Sequence, residues 1–142
     1  MSQATVSKAE NVINNLAGKM EEGYCAIALI DEDGYPSAST VSIAKADGIK
    51  WLAFCAGIND NKANRIRKNN RASVCLNSPG YNITLVGTAE VITDPKVKKE
   101  TWYEGCGEIW PGGADDPDYC VIRFTAKRYN LYVGMELAEG KL

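Results

Sequence analysis

Asn82-Ile83-Thr84-Leu85-Val86-Gly87-Thr88-Ala89-Glu90-Val91-Ile92-Thr93 reads as one long strand with a glycine in its middle. The missing side chain at Gly87 permits a bulge, a bend at a barrel corner or the close approach of a ligand. Downstream, Asp94-Pro95 starts a helix to about Tyr103. Trp110-Pro111-Gly112-Gly113 and Asp115-Asp116-Pro117-Asp118 then form a structured loop rich in breakers. Tyr119 to Thr125 and Arg128 to Gly134 read as two closing strands joined by a short turn. Upstream, Arg71 to Leu76 is a strand turned back by Pro79-Gly80, and Asp60 caps a short basic helix through Lys62, Arg65, Ile66 and Lys68. Three consecutive antiparallel strands precede it: Tyr24 to Ile30, Pro36 to Ala44, and Ile49 to Phe54. The turns between them are Asp31-Glu32-Asp33-Gly34 and Ala46-Asp47-Gly48.

The first segment changes period. Val6, Ala9, Val12, Ile13, Leu16, Ala17 and Met20 recur at three- and four-residue steps, which predicts an amphipathic helix near residues 5 to 21. Ser7 and Glu10 have capping-box spacing, and Gly23 is placed to end the helix. Tyr24, Trp51 and Phe54 read as barrel core. About seven strands with helices at the start, middle and late positions suit a closed or nearly closed antiparallel barrel, because closure removes exposed edges.

Bulk properties narrow the function. A length of 142 residues predicts a single domain (1–142), and 45% hydrophobic against 24% charged residues argues against intrinsic disorder. A net charge of −2 argues against nucleic acid as a partner but leaves room for one phosphate at a local basic site. No apolar run reaches the roughly 18 residues that span a bilayer, and Met1-Ser2-Gln3-Ala4-Thr5 lack a basic region followed by an apolar one. A cytoplasmic protein with no membrane partner is expected. The five cysteines, Cys25, Cys55, Cys75, Cys106 and Cys120, lack C-x-x-C spacing and read as buried thiols, with no metal site. The absence of histidine removes imidazole bases, histidine-paired nucleophiles and histidine-ligated metals.

Four pieces in order carry a resemblance: Pro36-Ser37-Ala38-Ser39-Thr40-Val41, Lys62-Ala63-Asn64-Arg65-Ile66-Arg67-Lys68-Asn69, Gly87-Thr88-Ala89-Glu90-Val91-Ile92-Thr93-Asp94, and the loop Trp110 to Asp118. Together they resemble the pyridoxamine 5'-phosphate oxidase-like FMN-binding split barrels over almost the whole chain, with the last loop nearest the general stress protein branch. The resemblance implies a mainly β fold, a six- to seven-stranded antiparallel split β-barrel with peripheral helices. It also implies a homodimer with FMN at the subunit interface.

By the same resemblance, Lys62 holds the cofactor phosphate from the first turn of its helix, where free amides assist an anion. Asn61 and Ser39 stand where the oxidases carry arginines, so two cations are missing unless Arg65, Arg67 or Arg71 substitutes. Ser39, Thr40, Val41 and Ser42 match the strand that lines the ring and ribityl chain, and Cys55 and Ala56 match the end of the third strand. Asn82 stands where relatives use glutamine toward the flavin, and Trp110 covers the flavin from the partner subunit. The residues themselves also allow plainer roles. Lys62 and Arg65 suit a solvated helix face, Cys55 and Ala56 a tight crossing, Asn82 a turn, and Trp110 an anchor for its own loop.

The implied function is a flavin-dependent oxidoreductase acting on an unidentified small molecule. The alternatives are a non-catalytic flavin-binding or storage protein and a deazaflavin-dependent reductase. An authentic pyridoxamine-phosphate oxidase is disfavoured: Ala44 replaces the substrate-phosphate lysine, and the chain ends in Ala138-Glu139-Gly140-Lys141-Leu142 without the histidine-containing signature.

Overall fold

The computed structural model describes residues 2–19 and 22–142. Helix α1 spans Ser2–Leu16, starting earlier and ending sooner than its periodicity suggests. Ser7 therefore lies inside the helix instead of capping it. Glu10 and Asn14 turn outward to the Asp47–Trp51 connection, where their side-chain oxygens accept from Ile49 N–H at 3.3 Å and Gly48 N–H at 2.9 Å. Gly18, at φ +79°, turns the chain in place of Gly23. Ala9 and Ile13 are fully buried, and Met20 lies outside the described residues.

The strands are β1 (Tyr24–Ile30), β2 (Pro36–Ser42), β3 (Lys45–Asp47), β4 (Trp51–Gly57), β5 (Arg71–Ser78), β6 (Tyr81–Ile92), β7 (Tyr119–Val133) and β8 (Glu136–Lys141). Helix α2 (Asn61–Lys68) joins β4 to β5, and α3 (Pro95–Thr101) follows β6. The antiparallel sheet runs β2-β1-β5-β6-β7-β4-β3, with β8 on β7. This is the mainly β, curled-barrel class expected, with eight strands in place of six or seven.

Four further expectations need correction. The anticipated meander is broken at Ile43-Ala44. Residues before the break pair with β1, whereas those after it pair with β4 at the opposite end of the sheet. Ile43 N–H donates to Gly23 O at 2.7 Å and Ala44 N–H to Ala53 O at 2.9 Å, so one segment joins both ends. Both residues are buried, which an unbroken strand with alternating faces does not allow.

The two closing strands are one, β7, and the residues after Gly134 form its hairpin partner β8. Between Gly87↔Ala126 and Val86↔Arg128 the register shifts, leaving Lys127 as the extra residue of a β-bulge. The bulge moves the inward positions from Cys120, Ile122, Phe124 and Ala126 to Leu131 and Val133. Glycine is required at 87 because a Cβ there overlaps the Thr125 carbonyl oxygen.

Strand parity also reassigns the aromatics. Cys25, Leu52 and Phe54 point inward, so Tyr24 and Trp51 point outward. Tyr24 is exposed, and Trp51 is half-buried beneath Arg123, whose guanidinium carbon sits 4.5 Å from the ring centroid. Asp60 occupies the position before α2, but its carboxylate accepts from Gly57 N–H at 2.8 Å and not from the helix.

Two apolar layers result. The barrel interior, including Ile27, Leu29, Val74, Leu85 and Phe124, is plugged by α1. Outside β4 and β7, a second cluster of Ala53, Cys106, Trp110, Tyr119 and Val121 lies under α3 and the following loop. Asp94 caps α3 through Lys96 N–H at 2.8 Å. Among the described residues no helix is long and apolar enough to cross a membrane.

The bulge yields a direct expectation. Gly87→Ala should destabilise the fold by on the order of 3 kcal/mol or more in urea unfolding, because backbone and not a flexible side chain must yield. Gly107→Ala, whose new Cβ meets only ordinary contact with Trp102, should stay within about 0.5 kcal/mol. Equal stability of the two variants refutes the requirement for glycine at 87.

Candidate functional site

The ends of β2 and β4 meet the start of α2 at the point where the segment through Ile43-Ala44 brings the two ends of the sheet together. The chain after α3 folds back over this corner as a 3-10 turn, Glu104–Glu108. Between them lies a cavity of about 200 Å³. Thr40, Val41 and Ser42 of β2, Cys55 of β4 and Lys62 of α2 form one side. Tyr103, Gly105, Cys106, Ile109 and Trp110 form the other.

The fold-back is built by a few polar contacts. Lys98, buried under the loop, donates from Nζ to Asp116 O at 2.9 Å. The Asp116 carboxylate accepts from Gly112 N–H at 3.0 Å and Asp118 N–H at 2.9 Å, fixing the glycine-rich loop. Tyr119 donates from its hydroxyl to Lys98 O at 2.8 Å, and the Trp102 and Trp110 rings pack on it at centroid distances of 5.1 and 5.3 Å. These contacts set the 3-10 turn against β4.

Six of the ten residues singled out from the sequence share this cavity: Thr40, Val41, Ser42, Cys55, Lys62 and Trp110. Trp110 is 7% exposed and seated in its own chain's second core. Four lie elsewhere. Ser39 is exposed on β2, opposite Ile27. Ala56 faces the barrel interior, because it follows Cys55 on the same strand and so points the other way. Asn61 is exposed at the start of α2. Asn82 is exposed on β6, its Oδ1 3.3 Å from Cys75 Sγ.

Tyr103, Gly105, Cys106 and Ile109 were not anticipated. Their signal was Gly105-Cys106-Gly107 just before Trp110-Pro111, a stretch too rich in glycine for a regular helix and therefore able to fold back sharply.

The lining carries one cation, Lys62. Arg65 is held by Glu32, with Nε and Nη2 donating at 3.1 and 3.3 Å, and the hydrogen bond from Arg65 holds the Glu32 carboxyl below its ordinary range. Arg67 donates to Asn64 Oδ1 at 3.0 Å. Arg71 lines a separate cleft of about 560 Å³ beside the bulge, with Lys127, Arg128 and Lys141. None of these arginines lines the Lys62 cavity. The larger cleft contains none of the ten residues and no aromatic ring; the smaller one combines an ammonium, hydroxyls and an apolar wall.

The thiols and phenols of the site are perturbed. Burial raises Tyr103, against a hydrogen bond with Ser42 that lowers it. Cys106 Sγ stands 2.8 Å from Cys55 Sγ. That hydrogen bond pushes Cys55 well above the usual thiol range, with burial adding to it, and draws Cys106 below it. Lining residues include no carboxylate, and the sequence has no histidine.

Comparison with known proteins places this geometry in a family. The chain superposes on a Clostridium acetobutylicum protein related to general stress protein 26 of Bacillus subtilis (pyridoxinephosphate oxidase family). There the TM-score is 0.74 at 29% identity, over 84% of this chain and 86% of that one. General stress protein 26 from Bacillus anthracis aligns at TM-score 0.76 and 16% identity, over 95% and 97% of the two chains. A pyridoxamine 5'-phosphate oxidase-related, FMN binding protein from Nostoc punctiforme aligns at 0.63 and 13%, over 84% and 87%. No curated protein sequence matches the chain. The family model described as pyridoxamine 5'-phosphate oxidase matches residues 14–132, most of the chain, and the protein belongs to that family.

Proposed function

We propose that the protein binds FMN in the Lys62 cavity and serves as a flavin-dependent oxidoreductase for a small molecule. The observation that carries this reading is the convergence of Lys62, Thr40, Ser42 and an apolar wall of Val41, Ile109 and Trp110 on one corner. A flavin mononucleotide needs a cationic or amide site for its phosphate, hydroxyl partners for its ribityl chain and a flat apolar surface for its ring. The lining residues supply each of these. FMN, when bound, supplies the redox chemistry itself. The chain's own residues then bind and orient it: Lys62 with the amides at the start of α2 toward the phosphate, the hydroxyls of Thr40 and Ser42 toward the polar chain.

The size of the cavity supports a second proposal, a homodimer that completes the site. About 200 Å³ falls below the ~300–1,000 Å³ typical of small-molecule sites, so a flavin would extend past this chain. Next to the corner, the outer face of the sheet carries rows of small residues across four strands. Thr40, Ala26, Cys75 and Thr84 are successive register partners, as are Ala38, Ala28, Ser73 and Val86. Neither core contains these residues. A small-residue face of this kind suits close packing against a second copy of itself.

A second reading, a flavin-binding or storage protein without turnover, is favoured by the absence of any carboxylate or imidazole from the lining. A deazaflavin in place of FMN is distinguished by the same measurements.

Native protein should show a flavin spectrum, and the released chromophore should have the mass of FMN. A colourless protein that also fails to bind added FMN, riboflavin or deazaflavin sinks the cofactor reading. Oxidation of NAD(P)H by the loaded protein supports the enzyme, and tight flavin without it supports the binder. Lys62→Ala should weaken FMN by about 10- to 100-fold, the worth of a charge-assisted bond, and leave riboflavin nearly unchanged. Equal weakening of both would mean that Lys62 does not hold the phosphate. Sedimentation should give twice the chain mass, and Ala28→Arg should return it to one; a wild-type monomer with flavin bound rejects the dimer alone.

A further inference from the structure

We propose that Cys55 and Cys106 form a redox-active dithiol, which closes to a disulfide with a hydroperoxide as oxidant. The two thiols come from distant parts of the chain, one on β4 and the other on the 3-10 turn after α3, and their sulfurs lie 2.8 Å apart. A disulfide bond is about 2.05 Å, so the sulfurs need to approach by roughly 0.8 Å, a shift that small side-chain rotations supply. Both residues line the same cavity; Cys106 is buried and Cys55 half-buried, so a small oxidant reaches the pair from the cavity. Among the described residues, the other three cysteines have no such cavity and no sulfur partner at this distance. Cys25 and Cys120 are buried in the barrel interior, and Cys75 faces out beside Asn82 Oδ1 and Thr84 Oγ1.

The surroundings hold the two sulfurs together. Cys55 also lies 3.8 Å from the Tyr119 hydroxyl and 4.0 Å from Thr101 O, contacts that fix it on a rigid strand. The contact between the sulfurs favours ionisation of one member of the pair while the other keeps its proton, and burial opposes it. The thiolate is the nucleophile, so the sulfur that gives up its proton attacks and the other resolves.

The chemistry balances without any group beyond the peroxide. The thiolate of one cysteine attacks one oxygen of hydrogen peroxide; the S–O bond forms, the O–O bond breaks, and the departing oxygen leaves as water after taking a proton. The sulfenic acid is then attacked by the sulfur of the other cysteine. The S–S bond forms, the S–O bond breaks, and a second water leaves with the proton of that second cysteine. In sum two thiols lose two electrons and two protons, and one peroxide becomes two waters. An external dithiol reverses the state of the protein by exchange.

No step uses a flavin, but both sulfurs line the cavity proposed for FMN, so the test is run on the protein as purified and again after any flavin is removed, which separates this inference from the cofactor reading. The test takes the purified protein, reduced and desalted, adds an equimolar amount of hydrogen peroxide, and then alkylates with N-ethylmaleimide in denaturant for intact-mass analysis. Two of the five thiols should escape alkylation, and dithiothreitol should return all five. Tryptic digestion should yield residues 51–62 joined to residues 100–123, with a further cut at acidic residues separating Cys106 from Cys120. Cys55→Ser and Cys106→Ser should each form no internal disulfide, and Cys25→Ser should still lose two thiols. Full alkylation of the wild type after a large excess of peroxide overturns the proposal, as does a cross-link joining any other pair; the wild-type measurement decides even if a serine variant fails to fold.

Discussion

Adjacent amides on a strand point to opposite sides, and the buried pair Ile43-Ala44 uses this to reach two neighbours at once. Ile43 N–H donates to Gly23 O ahead of β1, and Ala44 N–H to Ala53 O on β4. Because β1 and β4 lie toward opposite ends of the strand order, these two bonds draw the ends of the sheet toward each other and curl it into a half-barrel. Ile43 hides its side chain in the interior with Ala9 and Ile13 of α1, and Ala44 is buried beside it, so the curl is backed by apolar burial and not by hydrogen bonds alone. The bulge at Gly87 and Lys127 does the complementary work on the far side, bending the long β6–β7 ribbon while keeping apolar residues inward on both sides of the shift.

The site is a consequence of that curl. Only when the ends of β2 and β4 come together do Thr40 and Ser42 stand beside Cys55, and α2, launched directly from β4, brings Lys62 to the same corner. The fold-back after α3 closes the cavity from outside, held by Tyr119 and Asp116 through hydrogen bonds to backbone. Each of these supports is a backbone-anchored contact within one chain, so the floor and one wall are formed before any second molecule arrives.

Local pattern made most strands and their turns legible, because alternation and turn residues act over a few positions. It also gave Gly87 its options, among which the Thr125 carbonyl selected the bulge. What stayed hidden depended on partners distant in sequence. Nothing in Pro36 to Ala44 tells that its two ends pair with different strands. The pattern at Ala126-Lys127 looks like a turn because a bulge also breaks alternation. Ser7 and Glu10 fit a capping box by spacing, yet Glu10 is taken by Ile49 N–H across the fold. Parity explains the site residues in the same way: of the consecutive pair Cys55-Ala56, a strand presents only one to any cavity, and pairing to β7 decides which.

The cysteines make the same point about chemistry. Spacing alone argued for isolated thiols, and for Cys25, deep in the barrel with its thiol pushed up to about 12 chiefly by burial, that reading suffices. Cys55 and Cys106 lie 51 residues apart, and their meeting requires the parity of β4, the length of α3 and the glycine-rich fold-back all at once. Apolar burial alone would raise both thiols and leave them inert. Proximity changes the outcome, because a proton shared between two sulfurs lets one of them ionise while the other stays protonated. The asymmetry that separates an attacking from a resolving thiol therefore arises from the same packing that builds the cavity wall, and not from any charged neighbour in the local sequence.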